Sequence, residues 1–179
     1  SIVATVTEIY DYMRVLYARI GTPYSPFTGK EIKSQTVSEI VDKILNLPKP
    51  SRITLFSPMV RGRKGEYKKE ILGLKKQGFE KIRINEKLYD IDDTPTLNKK
   101  LKHNIDVQID KFINKKDDIK RISESVESAL KLSDGLIYAE FKNETFPKEH
   151  QKIEKLIFSS KFACPESGFT IEEIEPRLF

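Results

Sequence analysis

The stretch "HNIDVQIDKFI", residues 103–113, constrains the fold more than any other part of the chain. Ile105, Val107 and Ile109 alternate with Asp106, Gln108 and Asp110. Side chains of a strand point to opposite faces with a period of two, so this pattern predicts a strand with one buried and one polar face. Strict alternation also places Lys111 on the apolar side. The strand must therefore end or bulge near Asp110 for that charge to reach solvent.

A half-buried strand needs partners and a cover, and the flanking sequence supplies both. "RITLFSPMV" (52–60) is apolar and β-favouring and is expected to be a buried strand. "FEKIRINEKLYDID" predicts a hairpin turning near Asn85, with Ile82 and Ile84 inward and Lys81 and Arg83 outward. "LIYAEF" (136–141) is a further strand. Helices are expected in three places around these strands. "QTVSEIVDKILNLP" opens on the capping-box pair Thr36 and Glu39 and carries the stripe Val37, Ile40, Val41, Ile44, Leu45. A charged helix ends at Gly78. "DIKRISESVESALKLSDG" places Ile119, Ile122, Val126 and Leu130 on one stripe and stops at Gly135. Another helix, "TVTEIYDYMRVLYARIG", precedes them all. Residues 142–155 read as a loop or ragged hairpin. The expected class is α+β: a mixed, mainly antiparallel sheet with helices on one face, over residues 36–158. Residues 1–35 and 159–179 flank that unit.

Two turns sit in the flanks. "CPESG" (164–168) has the frame of a zinc turn with Ser167 in place of the second thiol, and "SPFTG" (25–29) repeats the frame with Ser25 and Thr28. A closed structural zinc site takes about four ligands. Cys164 is the one cysteine of the 179 residues, so no metal site is expected. A single cysteine also excludes an intramolecular disulfide framework. No run approaches the ~18 apolar residues of a membrane span, and no signal-peptide pattern opens the chain. A cytoplasmic protein without a membrane role is expected. The start at Ser1, without Met, points to a piece of a longer protein.

Catalytic motifs are missing. "TGKE" (28–31) lacks the glycine and the hydroxyl residue of a phosphate loop, and no dinucleotide fingerprint occurs. His103 and His150 are isolated, and "YDIDD" lacks calcium-loop spacing. The strongest charge feature is "VRGRKGEYKK", where Arg61, Arg63, Lys64, Lys68 and Lys69 fall within nine residues and read as a Gly-flanked basic loop. It is either a solvated loop or a contact for an anionic surface, DNA phosphates or acidic side chains. The net charge of +5 fits both partners.

The ordered segments "ATVTEIYDYMRVLYARIG", "SQTVSEIVDKIL", "RGRKGEYKKEI", "KKLKHNIDVQIDK", "ESALKLSDG" and "FACPESGFTIEEIEPRLF" resemble the UvrA family, the damage-recognition ATPases of the bacterial excinuclease that performs nucleotide excision repair. The resemblance covers essentially the whole chain. It implies an inserted UvrB-binding domain at 36–158, flanked at 1–35 and 159–179 by parts of the first signature domain of an ABC-type ATPase. It further implies that UvrB is the partner, as part of the response to DNA damage. ATP, Mg and zinc would be bound elsewhere in a homodimeric parent that contacts DNA. This segment would have no cofactor and no catalytic residue of its own. Many family members carry Cys-Pro-x-Cys-Gly at both turns, which makes Ser25, Thr28, Cys164 and Ser167 the degenerate positions of a lost zinc site. By motif, Lys81, Arg83 and Lys111 are the implied UvrB-binding residues, and Glu127 is a further residue to meet a basic group of the partner. Each of these four is otherwise a solvated surface charge. A DNA-contacting module built on residues 61–69 is the alternative function.

Overall fold

A computed structural model describes residues 34–143 and 152–161. The first predicted helix, His150, both Pro–Gly turns and the positions Ser25, Thr28, Cys164 and Ser167 lie outside those residues. The described chain runs α1 (Val37–Leu45), β1 (Ser51–Lys64), α2 (Lys68–Lys76), β2 (Lys81–Ile84), β3 (Lys87–Asp90), β4 (Lys102–Ile113), α3 (Ile119–Leu132), β5 (Leu136–Asn143) and β6 (Glu154–Ser159). The six strands form one sheet in the order β3-β2-β4-β1-β5-β6. Every pairing is antiparallel. The fold is α+β.

Alternate residues of each strand build an apolar face beneath the helices. Ile53, Leu55, Phe112, Ile137, Ala139, Phe141 and Phe158 pack with Ile40, Val41 and Ile44 of α1 and Ile122, Val126 and Ala129 of α3. Farther along the sheet, Val60, Ile82, Ile84, Ile105 and Val107 pack with Ile71 and Leu74 of α2 and with Ile91 and Leu97. Ile109 packs against both clusters. The buried Ser57 hydroxyl donates to the Ala129 carbonyl at 2.7 Å, which fixes α3 over the middle of β1. The α1 start has the expected capping box, with the Thr36 hydroxyl accepting from the Glu39 amide at 3.1 Å. Ile119 departs from its expected place on the α3 stripe and is 50% exposed.

The β1–β4 ladder carries three irregularities. Leu55 pairs with Asp110 and Phe56 with Gln108, so Ile109 is an extra residue in β4. A bulge inserts one residue and resets the alternation beyond it. Asp110 therefore faces the helices, where Arg121 and Ser125 of α3 donate to its carboxylate. The expected shared face of Asp106, Gln108 and Asp110 holds only for the first two. Lys111 pairs with Thr54 and is exposed on the open face, as a bulge near Asp110 requires. On β1, Met59 and Gly62 are the extra residues. Gly62 has φ 61°, a left-handed conformation that a side chain disfavours. β1 runs on through this point, so residues 61–64 are strand, and the expected basic loop is not a loop there. Its helix starts only at Lys68.

Candidate protein-interaction surface on the open sheet face

No described helix covers the second face of the sheet. The same alternation that points Ile82 and Ile84 inward points Lys81 and Arg83 onto it. Their β4 neighbour is Asp106, which pairs with Arg83 in the ladder. From β1 come Arg52, Thr54 and Phe56, opposite the core residues Ile53 and Leu55. From β5 come Tyr138, Glu140 and Lys142, and their β6 partners Ile157 and Lys155 complete the face.

Arg83 is the centre of this face. Its Nε donates to Asp106 Oδ2 at 3.0 Å, and its Nη1 lies 2.5 Å from Glu140 Oε2. The guanidinium sits 3.9 Å above the Phe56 ring. The three charged side chains are 15%, 12% and 17% exposed. One arginine thus links β2, β4 and β5 across β1, using the planar fork and ring-stacking that lysine lacks. Burial raises the Asp106 pKa above the ordinary carboxylate value, and the Arg83 charge and hydrogen bond recover only part of that shift. Burial likewise pushes the Tyr138 phenol up. Lys155 lies 3.7 Å over the Tyr138 ring.

Beyond Phe56, β1 no longer pairs with β5, and Pro58 has no N–H to extend that ladder. The strands separate there and leave a concavity of 530 Å³, lined by Arg61, Arg83, Asp106, Tyr138, Glu140 and Lys155 among others. A second, shallower concavity on the same face holds Phe56, Leu88, Gln108, Lys111, Lys142 and Ile153. Leu88 and Ile153 are 47% and 70% exposed, so this polar face also offers apolar anchors.

The residues expected at the partner surface fare differently. Lys81 pairs with Asp90 across the hairpin and remains half-exposed. That carboxylate raises the lysine's pKa by hydrogen bond and charge. Arg83 is on the expected face but is consumed in an internal network, not a free contact charge. Lys111 is exposed, and among the described residues no carboxylate lies within ion-pair distance of its ammonium. Glu127 belongs to α3, on the helical side, and the structure does not bring it together with the other three. Arg61, Arg63 and Lys64 lie at the end of β1, and Lys68 and Lys69 on the first turn of α2. The sequence reading missed Phe56, Asp106, Tyr138, Glu140 and Lys155. A signal was present, since Phe56 shares the parity of Arg52 and Thr54, and Tyr138 and Glu140 alternate with Ile137, Ala139 and Phe141. Lys142, expected in a ragged segment, is in β5 and lines the same concavity as Lys111. Among the described residues no group of His, Cys, Asp and Glu could hold a metal ion, and no helix is long and apolar enough to cross a membrane.

Comparison with known proteins assigns the scaffold. Residues 35–143 match the family described as UvrA interaction domain. The whole chain is 51% identical over 191 residues to UvrABC system protein A of Agrobacterium fabrum, covering 20% of that protein. It is 50% identical over 190 residues to the same protein of Mesorhizobium japonicum, again 20% of its length. The Bradyrhizobium diazoefficiens protein is 50% identical over 191 residues, 19% of its length. The chain thus spans about a fifth of the curated relatives it matches. With residues 35–143, from α1 to β5, matched to that family, the chain belongs to the UvrA interaction domain family.

Proposed function

We propose that this chain is the docking module through which a nucleotide excision repair ATPase recruits UvrB, and that UvrB binds the open sheet face. The observation that carries this reading is the face itself: a concave, largely charged surface left uncovered by helices and held rigid by Arg83 between Asp106 and Glu140. Fixed charges lose less side-chain freedom on binding than charges on a loop. Lys81 and Lys111 stand toward one side of this face, with Leu88 and Ile153 as apolar contacts. Glu127, on the far side of the domain, has no part in it.

The reading extends to the domain's place in its parent. The Gln35 amide donates to the Ser159 carbonyl at 2.9 Å, and the Ser34 hydroxyl donates to the Ser160 carbonyl at 2.7 Å. The chain therefore leaves the domain beside the point where it enters, which supports an insertion over 36–158 between flanking signature-domain segments at 1–35 and 159–179. ATP hydrolysis, Mg and zinc then belong to the rest of a cytoplasmic, homodimeric parent. This chain acts by contact, without catalysis.

Titration calorimetry of the 179-residue chain against purified UvrB tests the proposal. Binding is expected to weaken with salt. Lys81→Glu combined with Lys111→Glu should weaken it at least tenfold, about 1.4 kcal/mol. Lys120→Glu, on the exposed side of α3, should leave it within about twofold. Equal losses from both faces, or no binding to UvrB at all, would overturn the assignment.

A further inference from the structure

The end of the β1–β4 pair carries a charge arrangement away from Lys81 and Lys111, the residues on which the proposed UvrB contact is tested. β5 stops pairing with β1 at Phe56, and β2 stops pairing with β4 at Ile105. Residues 61–64 and 102–104 continue as a two-stranded ribbon, flanked at Asn104 by the β2–β3 turn, with Arg61 opposite Asn104, Arg63 opposite His103 and Lys64 opposite Lys102. The turn before β4 adds Lys99 and Lys100. All six basic residues are exposed. Among the described residues, no carboxylate lies within ion-pair distance of Arg63, Lys64, Lys99, Lys100 or Lys102.

This ribbon is held stiffly. The Gly62 amide donates to Asn104 Oδ1 at 2.8 Å, and the Asn104 amide donates to Asn85 Oδ1 at 2.9 Å. His103 is buried, its ring nitrogens 2.9 Å from Asn85 Nδ2 and 2.8 Å from the Asn98 carbonyl, bonds satisfied together by the tautomer with the proton on Nε2. Three segments are thereby pinned: the β2–β3 turn, the 98–102 turn and the β1 bulge. The resulting frame holds like charges together. Lys64 and Lys102 are direct cross-strand partners, an arrangement that destabilises a strand pair. An external polyanion removes that cost. Register places Lys64 and Lys102 on the open side and Arg63 on the opposite side, so the ribbon is basic on both faces.

We infer that this basic ribbon is a second contact surface, one that binds the phosphate backbone of duplex DNA without reading sequence. A two-stranded ribbon fits the ~12 Å major groove of B-DNA. Cations on both of its faces can then meet phosphates on both walls, and the released counterions drive binding. Base-reading is not part of the proposal, because lysines dominate the tip and meet phosphate as point charges.

The test uses the 179-residue chain and a fluorescein-labelled random-sequence duplex of about 30 base pairs, read by anisotropy from about 50 mM salt upward. The wild-type chain is expected to bind, with affinity falling steeply as salt rises. Replacing Lys64, Lys100 and Lys102 together by Ala should flatten the log–log salt slope by about 0.9 for each phosphate no longer neutralised. Lys64→Glu separates the binding role from a folding role. It sets an opposite charge against Lys102, so the unfolding midpoint should hold or rise while DNA affinity drops at least fivefold. Lys120→Glu should change neither, and Lys64→Glu should leave UvrB affinity intact. No binding at low salt, unchanged DNA affinity in Lys64→Glu, an equal loss in Lys120→Glu, or tighter binding to poly-glutamate than to the duplex would each overturn the proposal.

Discussion

The two faces of this sheet are made from the same strands and are held by opposite kinds of force. On the helical side, Ile53, Leu55, Ile82, Ile105, Val107 and Ile137 are almost wholly buried and close against three helices. That side gains stability from apolar area removed from water and from close packing. On the open side, one arginine holds two carboxylates and a phenylalanine ring in place. Desolvating three charges offsets much of their attraction, so such a network adds little net stability. Its consequence is geometric: the face keeps its concave shape without a helix covering it. The face proposed for docking is thereby held in shape without being packed.

The comparison breaks first on the helical side. Ile122 is fully buried in α3 against the sheet. Ile122→Ala should lower the unfolding free energy by ~3–4 kcal/mol, the cost of lost burial plus a cavity. Urea denaturation measures it, and a loss under ~1 kcal/mol would mean that α3 is not held by packing. On the open side, Arg83→Ala should cost ~3 kcal/mol, because it leaves Asp106 and Glu140 buried without a counter-charge. The same change in a chain already carrying Asp106→Asn and Glu140→Gln should cost far less. A double-mutant cycle with no coupling between Arg83 and the two acids would deny the network its role. The two losses are similar in size and differ in cause, since neutralising neighbours rescues only the second.

The helical face was the more legible of the two in the amino-acid sequence. Each of its strands alternates, α1 announces itself by Thr36 and Glu39, and the stripes of α1 and α3 mark their buried sides. What escaped reading depends on non-local geometry. The Ile109 bulge moves Asp110 to the helices and Lys111 to the open face. Only the pairing of β4 with β1 reveals where that extra residue sits, although the burial cost of Lys111 required one nearby. "RGRK" looks like a loop because of its glycines and charge, yet Gly62 is a bulge within a 14-residue strand. The open-face network was invisible for the same reason. Arg83, Asp106 and Glu140 lie on three strands far apart in sequence, and nothing local to any of them names the others. Alternation with Ile82 and Ile84 placed Arg83 on the open face without showing that its charge is already committed.

The smallest expected effect tests the comparison within a single strand. Asp106 and Asp110 are four positions apart on β4 and face opposite sides because of the bulge at Ile109. For Asp110, burial opposes the charge, but hydrogen bonds from Arg121, Ser125 and the Lys111 amide outweigh it and hold the carboxyl below its usual range. A depressed folded pKa contributes stability above the unfolded value of ~3.9 and loses it as pH falls through the lowered folded value. For Asp106, burial dominates and the folded pKa is raised despite Arg83. There the ionised form is the disfavoured one, so stability declines as pH rises from ~3.9 through the raised value. Asp110→Asn should therefore be most damaging near neutrality, with the gap to the wild-type chain closing in acid. Asp106→Asn should show the opposite trend, its gap to the wild type shrinking as pH rises. Urea midpoints between about pH 3 and pH 7 measure both. Slopes of the same sign would mean that the two carboxylates share one environment, and that the bulge does not divide the strand between a face made by packing and a face made by charge.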